Sequence, residues 1–324
     1  MSTAGTTEPD GRTRHYGGFY GLDESGPSAS SDDRPLLVVW GNCQAESVRV
    51  LLAGSGENAV RTVRVPPVFE LVESDLGYLR GLMARADILV SQPVKDGYRD
   101  MPLGTGQVAA LMPAGGRVLR WPVLRCSSLH PFQAIVRDPW DPSRDPPVVP
   151  YHDLRTIASV QTGRDLLDAP VPAAVCAEVA RASVAELARR EAAGCDVAVS
   201  DLLAQPQLGD MHTLNHPGNR ILITLVRRIQ AALGLPVDAA DPGRELLGGT
   251  RAPVAAAAAE ALGLDVDDER VARVPSASHW RVGAESVATR HIHDVQARWY
   301  RENPWLLDAA EQRHGPLLDA LGLR

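Results

Sequence analysis

The segment Gly41-Asn42-Cys43-Gln44 places a thiol between two amide side chains, directly after the apolar run of residues 36–40. Gly41 permits a tight turn at this point, and the backbone amides at the start of a following helix stabilise an anion or a thiolate. Cys43 is therefore a candidate nucleophile, and Asn42 and Gln44 are candidate donors to the oxyanion formed in acyl transfer. The alternative interpretation is a small apolar cysteine buried behind a strand.

A second candidate segment begins at Ser91 and Gln92, which follow another apolar run at residues 86–90. The carboxyl ends of neighbouring parallel strands meet at one edge of a sheet, so we expect Ser91 and Gln92 to lie near Cys43. Tyr98 comes shortly afterwards and is a candidate for the same substrate site. The alternative interpretation is that these residues cap a loop and that the tyrosine packs on its rim.

A cysteine nucleophile usually needs a histidine as its base. Several histidines compete for this role, among them His130, His152 and His216. Asn215 stands beside His216 and joins the candidates for substrate binding. The pattern of residues does not choose between these histidines.

The sequence contains no pattern typical of a metal site or of a site for a nucleotide triphosphate. His212 and His216 are four residues apart, but Pro217 follows directly and no cysteine or carboxylate recurs at a regular interval, so no metal site is predicted. Neither a Walker-type loop nor a G-x-G-x-x-G pattern follows the first apolar run, and a G-x-S-x-G serine motif is missing too.

Apolar runs alternate with helical patterns in the first half of the chain, which predicts an α/β fold with a mainly parallel sheet flanked by helices. The proline-rich segment 138–150 is predicted to be a loop, and the sequence after it is mostly helical in pattern. Strands are predicted at 36–40, 59–65, 86–90 and 117–124, and helices at 42–53, 69–85, 173–193, 219–233 and 287–321, the last interrupted at 303–304.

Composition limits the classes of function. The chain has 324 residues with 33 basic and 40 acidic side chains, a net charge of −7, which disfavours a nucleic-acid partner. Four cysteines are too few for a disulfide scaffold, and residues 1–33 have no apolar leader, so we expect a cytoplasmic protein. No apolar run is long enough to span a membrane. The polar composition of residues 1–33 predicts a disordered tail, although its aromatic residues can dock on the body.

Four motifs together resemble the WcbI-type polysaccharide biosynthesis acetyltransferases, and the resemblance covers about residues 35–235. The motifs are the segments 40–44, 87–94 with Tyr98, 129–131 and 212–217. The resemblance implies an α/β fold similar to SGNH-type hydrolases and flavodoxin-like three-layer proteins, with coenzyme A as the bound donor. It also implies that Cys43 is the active-site cysteine, flanked by Asn42 and Gln44, and that either His130 or His216, each followed by a proline, is the base. The implied product is an O-acetylated capsular or related glycan.

The resulting hypothesis is an acyltransferase that uses acetyl-CoA and a glycan or glycoside acceptor and needs no metal. Residues 34–235 would be its catalytic domain and residues 236–324 a helical extension. The acyl group passes either through Cys43 or directly to the acceptor. The alternatives are an esterase or thioesterase on the same fold, which would release coenzyme A without an acceptor, and a non-catalytic module that binds coenzyme A or a nucleotide.

Overall fold

The computed structural model describes residues 9–22, 32–57, 59–265 and 278–324. The helices are α1 (Gly11–His15), α2 (Cys43–Ala53), α3 (Leu76–Met83), α4 (Thr105–Ala109), α5 (Leu154–Thr162), α6 (Ala173–Gly194), α7 (Ser200–Leu203), α8 (Asn219–Leu233), α9 (Ala256–Leu262), α10 (Thr289–Glu302) and α11 (Trp305–Ala320). The strands are β1 (Leu36–Trp40), β2 (Arg61–Thr62), β3 (Ile88–Ser91), β4 (Arg117–Arg120), β5 (Gln133–Ala134), β6 (His152–Asp153), β7 (Met211–Thr213), β8 (His216–Pro217), β9 (Thr250–Arg251), β10 (His279–Val282) and β11 (Glu285–Ala288).

Contacts within the chain define two compact units, and both are discontinuous in sequence. The first unit comprises Met1–Val123, Arg190–Ala198 and Leu222–Arg244, and the second comprises Leu124–Arg189, Val199–Ile221 and Glu245–Arg324. These units do not follow the predicted segments 34–235 and 236–324. The assignment of a catalytic domain and a helical extension therefore stays a prediction.

The first unit is built on a parallel sheet with the strand order β2-β1-β3-β4. Every residue of β1 and β3 is buried, as expected of strands whose two faces are both covered. The predicted α/β fold with a parallel sheet is confirmed. Side chains on one face of β1 pack in a core cluster with Leu79, Leu82 and Met83 of α3, and burying each such side chain contributes roughly 1.5 to 3 kcal/mol.

The N-terminal segment differs from its prediction. Residues 1–33 were expected to form a disordered tail, but residues 9–22 contain α1 and bury two aromatic side chains, Tyr16 and Phe19. The guanidinium of Arg12 lies 2.8 Å from Asp75 Oδ2, and the other carboxylate oxygen, Oδ1, accepts a hydrogen bond from the Tyr20 hydroxyl at 2.9 Å. A buried carboxylate and an aromatic cluster thus hold the segment on the first unit.

The second unit combines helices with short antiparallel pairs. Strand β5 pairs with β6, β7 pairs with β8, and β10 lies between β9 and β11. The largely helical character predicted for the C-terminal part is confirmed by α9, α10 and α11, whereas the short strands were not predicted. The break between α10 and α11 falls at the predicted Asn303-Pro304, because the residue before a proline avoids helical geometry.

Several predicted elements are shorter than expected, among them the strand predicted at 117–124, which ends at Arg120 as β4. The strand predicted at 59–65 is reduced to β2, and the helix predicted from residue 69 begins only at α3, after a 3-10 turn at Glu73–Asp75. Residues 66–72 form a loop instead, and the Val68 N–H donates a hydrogen bond of 2.9 Å to the Gly41 carbonyl. Among the described helices, none is long and apolar enough to cross a membrane.

Candidate active site

The turn between β1 and α2 puts Cys43 at the first position of the helix. Asn42 is the N-cap, and its Oδ1 accepts the Gln44 N–H at 2.9 Å, an interaction that stabilises a helix by about 1 kcal/mol. Gly41 is required by close approach, because a Cβ at this position would lie 2.4 Å from Oε1 of Gln92. The predicted strand, turn and helix are therefore present, with the cysteine where the helix amides begin.

Gln92 connects the ends of the two central strands. Its Oε1 accepts the Asn42 N–H at 2.9 Å, and its Nε2 donates to Gln44 Oε1, also at 2.9 Å. The structure thus brings Gln92 to the cysteine turn, as the meeting of parallel strand ends predicts. The Gln44 side chain is completely buried and braces the turn, while its predicted part in oxyanion binding stays a prediction.

Ser91 is the last residue of β3 and directly precedes Gln92. Its side chain is buried, its hydroxyl donates to the Gln92 carbonyl at 2.7 Å, and it lies 3.0 Å from Thr105 Oγ1. The Thr105 hydroxyl also donates to the Gln92 carbonyl, at 2.8 Å, and accepts the Val94 N–H at 2.9 Å. Thr105 was missed by the sequence analysis, because nothing in its local sequence links it to the end of β3. These contacts fix the backbone that carries Gln92.

Tyr98 follows β3 in a short 3-10 turn. Its side chain is half-buried and packs against the core cluster of the first unit. The turn starts after Gly97, whose φ of 66° lies in the left-handed region that glycine tolerates best. This placement agrees with the alternative of a tyrosine packed at the rim, and its role towards substrate stays a prediction.

Burial governs the ionisation of Cys43. Removal from water raises the pKa of the thiol to about 11, and the nearby Glu70 carboxylate adds to the increase. The backbone N–H groups of Cys43 and Gln44 act in the opposite direction and favour the thiolate, as predicted for a helix start, but the desolvation is larger. At neutral pH the cysteine is therefore a thiol, and any nucleophilic step must remove its proton.

His130 lies in the second unit and is almost completely buried. Its Nε2 is 2.9 Å from the Met211 carbonyl oxygen, and burial lowers the pKa of the imidazole to about 4. The ring is thus neutral at physiological pH, and one of its nitrogens is engaged with the backbone. This histidine is well placed to hold the β7 strand.

His216 begins β8 in the same unit and is only half-buried. Its Nδ1 lies 3.4 Å from the Tyr151 hydroxyl, which donates to Asn215 Oδ1 at 2.8 Å. Burial lowers the pKa of His216 to about 4, and the neighbouring His212 adds to the decrease. Asn215 and His216 are adjacent in sequence, and both lie near the Tyr151 hydroxyl. Tyr151 comes from a distant part of the chain and was missed by the sequence analysis.

His212 and Glu245 form a further contact that the sequence did not reveal. The Nε2 of His212 lies 3.3 Å from Glu245 Oε1, without the alignment of a hydrogen bond. The contact with His212 and the Asn219 N–H at the start of α8 lower the pKa of Glu245 to about 2. In the parts of the chain that the structure describes, no group of three metal-binding side chains is assembled.

Comparison with known proteins places these features in a family. A family model described as polysaccharide biosynthesis enzyme WcbI matches residues 36–238. A solved structure of WcbI, described as a polysaccharide biosynthesis enzyme in its native form without a disulfide bond between coenzyme A and a cysteine, superposes with a TM-score of 0.72. The two chains are 20% identical, and the match covers 90% of this chain and 99% of the other. No curated protein gives a significant match.

The match to the family model spans well over half of the chain and includes both the cysteine turn and the Asn215-His216 pair. The expected family resemblance is confirmed, and the chain belongs to the WcbI family of polysaccharide biosynthesis enzymes.

Proposed function

We propose that this enzyme transfers an acyl group, with acetyl as the simplest case, from coenzyme A to a hydroxyl of a polysaccharide or its sugar precursor. The family supplies polysaccharide biosynthesis as the substrate class, and the description of the similar structure names coenzyme A and a cysteine of that protein, in a form without a disulfide bond between them. When the donor is a thioester of coenzyme A and the acceptor is a hydroxyl group, the reaction is an acyl transfer.

The observation that carries this proposal is the position of Cys43 at the first residue of α2, in a turn fixed by Gln92. The N-terminus of a helix carries partial positive charge, which stabilises negative charge that develops beside it, as in a tetrahedral oxyanion. In the described part of the chain the Asn42 amide nitrogen has no hydrogen-bond acceptor. We assign this NH2 group as a donor to the thioester oxygen.

The transfer proceeds in two steps. The Cys43 sulfur attacks the acyl carbon, its proton leaves for a base, the bond to the coenzyme A sulfur breaks, and that sulfur receives a proton. The acceptor hydroxyl then attacks the new thioester, loses its proton to the base, and the bond to Cys43 breaks as the thiol is restored. The two thioesters are close in energy, so the first step has little thermodynamic cost.

The candidate bases His130 and His216 both belong to the second unit, and they differ in burial. His130 is almost completely buried with Nε2 against a carbonyl oxygen, whereas His216 is half-buried. The lowered pKa of about 4 keeps the His216 imidazole neutral at physiological pH, but it also makes that imidazole a weak base towards a thiol whose pKa is about 11.

The test combines calorimetric titration of coenzyme A with an assay of acetyl-CoA consumption in the presence of candidate sugar acceptors. Cys43→Ala should abolish turnover. Cys195→Ala is the matched control, because Cys195 is also half-buried with a pKa raised to about 11, but it follows the end of α6 rather than starting a helix. Absence of coenzyme A binding would overturn the proposal, and release of coenzyme A at the same rate without acceptor would favour an esterase or thioesterase.

A further inference from the structure

Aromatic side chains dock the N-terminal segment 9–22 on the first unit. Tyr16 and Phe19 are buried in the core cluster of that unit. The rings of Phe19 and Tyr20 contact the ring of Tyr78 in α3, with centroid distances of 6.2 and 5.0 Å. All of these residues belong to the first unit, so packing within one unit holds the segment in place.

Arg12 is the polar centre of this docking contact. Its guanidinium donates to both carboxylate oxygens of the buried Asp75, at 2.8 and 3.2 Å, and to the Glu70 carbonyl at 3.1 Å. Asp75 also accepts the Val72 N–H at 3.1 Å. One arginine therefore ties the segment to the loop of residues 66–72, directly through Glu70 and indirectly through Asp75.

This loop connects the docking contact to the cysteine turn. The Val68 N–H donates to the Gly41 carbonyl at 2.9 Å, and the Tyr16 hydroxyl donates to the Glu70 carboxylate at 3.2 Å. Burial raises the pKa of Cys43 to about 11, and the negative charge of Glu70 adds to the increase. The loop therefore contacts the backbone of the turn and contributes to the electrostatic environment of the thiol.

A second connection runs through Arg64. Its guanidinium carbon lies 5.7 Å from the centre of the Tyr16 ring, and its Nε lies 3.2 Å from Glu46 Oε1. Glu46 stands three residues after Cys43 in the first turn of α2. The docked segment is therefore linked to the cysteine helix as well as to the loop.

The segment is not part of the hydrogen-bonded sheet, so its release does not require the sheet to unfold. Its helix α1 has five residues, and a helix shorter than about 12 residues is not stable alone in water. The order of the segment therefore depends on its docking contacts, whereas the central strands are held by the pairing of β1 with β3. Elements with few buried contacts open locally at a lower free energy than the whole domain.

We propose that residues 9–22 are a latch, which in its docked state holds the 66–72 loop against the cysteine turn and restricts the access of reagents to Cys43. Release of the latch frees the loop and makes the thiol more accessible. The inference rests on the proposed function for the role of Cys43 and adds a regulatory element to that site. Its test needs only the reactivity of the thiol, without coenzyme A or an acceptor.

The test compares two arginines of α1 in the full chain. Arg12→Ala removes the contacts with Asp75 and the Glu70 carbonyl. Arg14→Ala is the matched control, because Arg14 is exposed and its Nε donates within the segment, to the Pro9 carbonyl at 2.9 Å. Loss of the Arg12 charge by itself disfavours a nearby thiolate, so a faster reaction of the thiol in Arg12→Ala reports access and not charge.

The readout is the rate at which iodoacetamide alkylates Cys43, followed by peptide mass spectrometry and divided by the rate at Cys195. Cys195 is half-buried in the same unit, so the ratio corrects for general unfolding. We expect the ratio to rise by about fivefold or more in Arg12→Ala and to stay within about twofold of the wild type in Arg14→Ala. Equal ratios in the two variants would overturn the inference.

Hydrogen exchange measures the loop itself. Because the Val68 N–H is bonded to the Gly41 carbonyl, peptides that contain residues 66–72 should exchange about fivefold faster or more in Arg12→Ala than in Arg14→Ala. Equal exchange in the two variants would overturn the role of the loop.

Tyr16→Phe keeps the test decisive if Arg12→Ala folds poorly. This substitution keeps the ring in the core cluster and removes only the hydroxyl that donates to the Glu70 carboxylate. We expect the alkylation ratio of Cys43 to Cys195 to rise by about twofold or more. An unchanged ratio in a folded Tyr16→Phe protein would contradict the latch.

The outcomes separate this inference from the proposed function. A wild type without acyl transfer, together with the expected difference between the two arginine variants, would overturn the proposed function and retain the latch. Acyl transfer by the wild type, together with equal alkylation ratios in the two variants, would overturn the latch alone.

Discussion

The side-chain oxygen of Gln92 accepts the backbone N–H of Asn42 at 2.9 Å, and this contact joins the end of β3 to the turn that carries Cys43. The same glutamine donates to Gln44, which lies one residue beyond the cysteine. A single side chain therefore contacts both neighbours of the cysteine, the backbone of Asn42 and the side chain of Gln44. The geometry of the candidate nucleophile depends on a residue about fifty positions away in sequence.

Replacement of Gln92 by leucine should destabilise the first unit and remove activity. The Asn42 N–H and the buried Gln44 Oε1 both lose their contact with Gln92, and the loss of a partner costs a buried polar group about 1 to 3 kcal/mol. We expect the free energy of unfolding to fall by about 2 to 5 kcal/mol in denaturant titrations. Gln205→Leu, at an exposed position, should change it by less than about 0.5 kcal/mol. Equal effects of the two substitutions would contradict the bracing role.

Gly41→Ala tests the close approach of the two strand ends. The added Cβ would meet Gln92 Oε1 at 2.4 Å, so the turn must shift, at a cost of about 1 to 3 kcal/mol, and turnover should fall with it. Gly81→Ala is the matched control: Gly81 is an exposed residue of α3 with no neighbour near the added Cβ. That substitution should stabilise the protein by about 0.5 to 1 kcal/mol, as thermal unfolding of the two variants would show.

The sequence predicted the parts of this site that depend on local pattern. The apolar run before Gly41 and the amphipathic pattern of α8 predicted β1 and that helix correctly. Contacts between distant residues escaped prediction. Arg12 and Asp75 are 63 residues apart in sequence. Their ion pair helps to hold a segment whose polar composition predicts a disordered tail.

The two candidate histidines are a second case in which local pattern was insufficient. His130 and His216 are each followed by proline and were indistinguishable in sequence. Only the burial of His130 and the contact of His216 with Tyr151, 65 residues away, separate them. Long-range packing of this kind has no signature in a single sequence, because neither partner lies in a recognisable motif.

Alkylation of Cys43 should report its raised pKa. With a pKa of about 11, the thiolate fraction rises about tenfold for each pH unit up to that value. We expect the rate of reaction with iodoacetamide, followed by peptide mass spectrometry, to increase in this way between pH 7 and pH 10 without levelling. An unfolded control should level near pH 9. A plateau near pH 8 in the folded protein would show that the helix amides outweigh desolvation.

Acid should weaken the second unit through its buried histidines. Burial lowers the pKa of both His130 and His216 from 6.5 to about 4, so between these values the unfolded chain binds more protons than the folded one. The contribution of these histidines to the free energy of unfolding is therefore complete above pH 6.5. It is lost as the pH falls towards 4, by up to about 1.4 kcal/mol per pH unit for each histidine.

Denaturant titrations at several pH values from 7 to 4.5 measure this slope. His130→Gln should flatten it, because one proton-linked group is removed. A free energy of unfolding that stays constant or rises over this range would contradict the assignment of neutral buried imidazoles.

The most direct measurement of the central claim is the intact mass of the protein after brief exposure to acetyl-CoA without an acceptor. The account predicts that the wild type and Cys195→Ala gain one acetyl group, that Cys43→Ala gains none, and that the sugar acceptor removes the group from the wild type. Full acyl transfer by Cys43→Ala, or an acetyl group located on another residue, would contradict a route through Cys43.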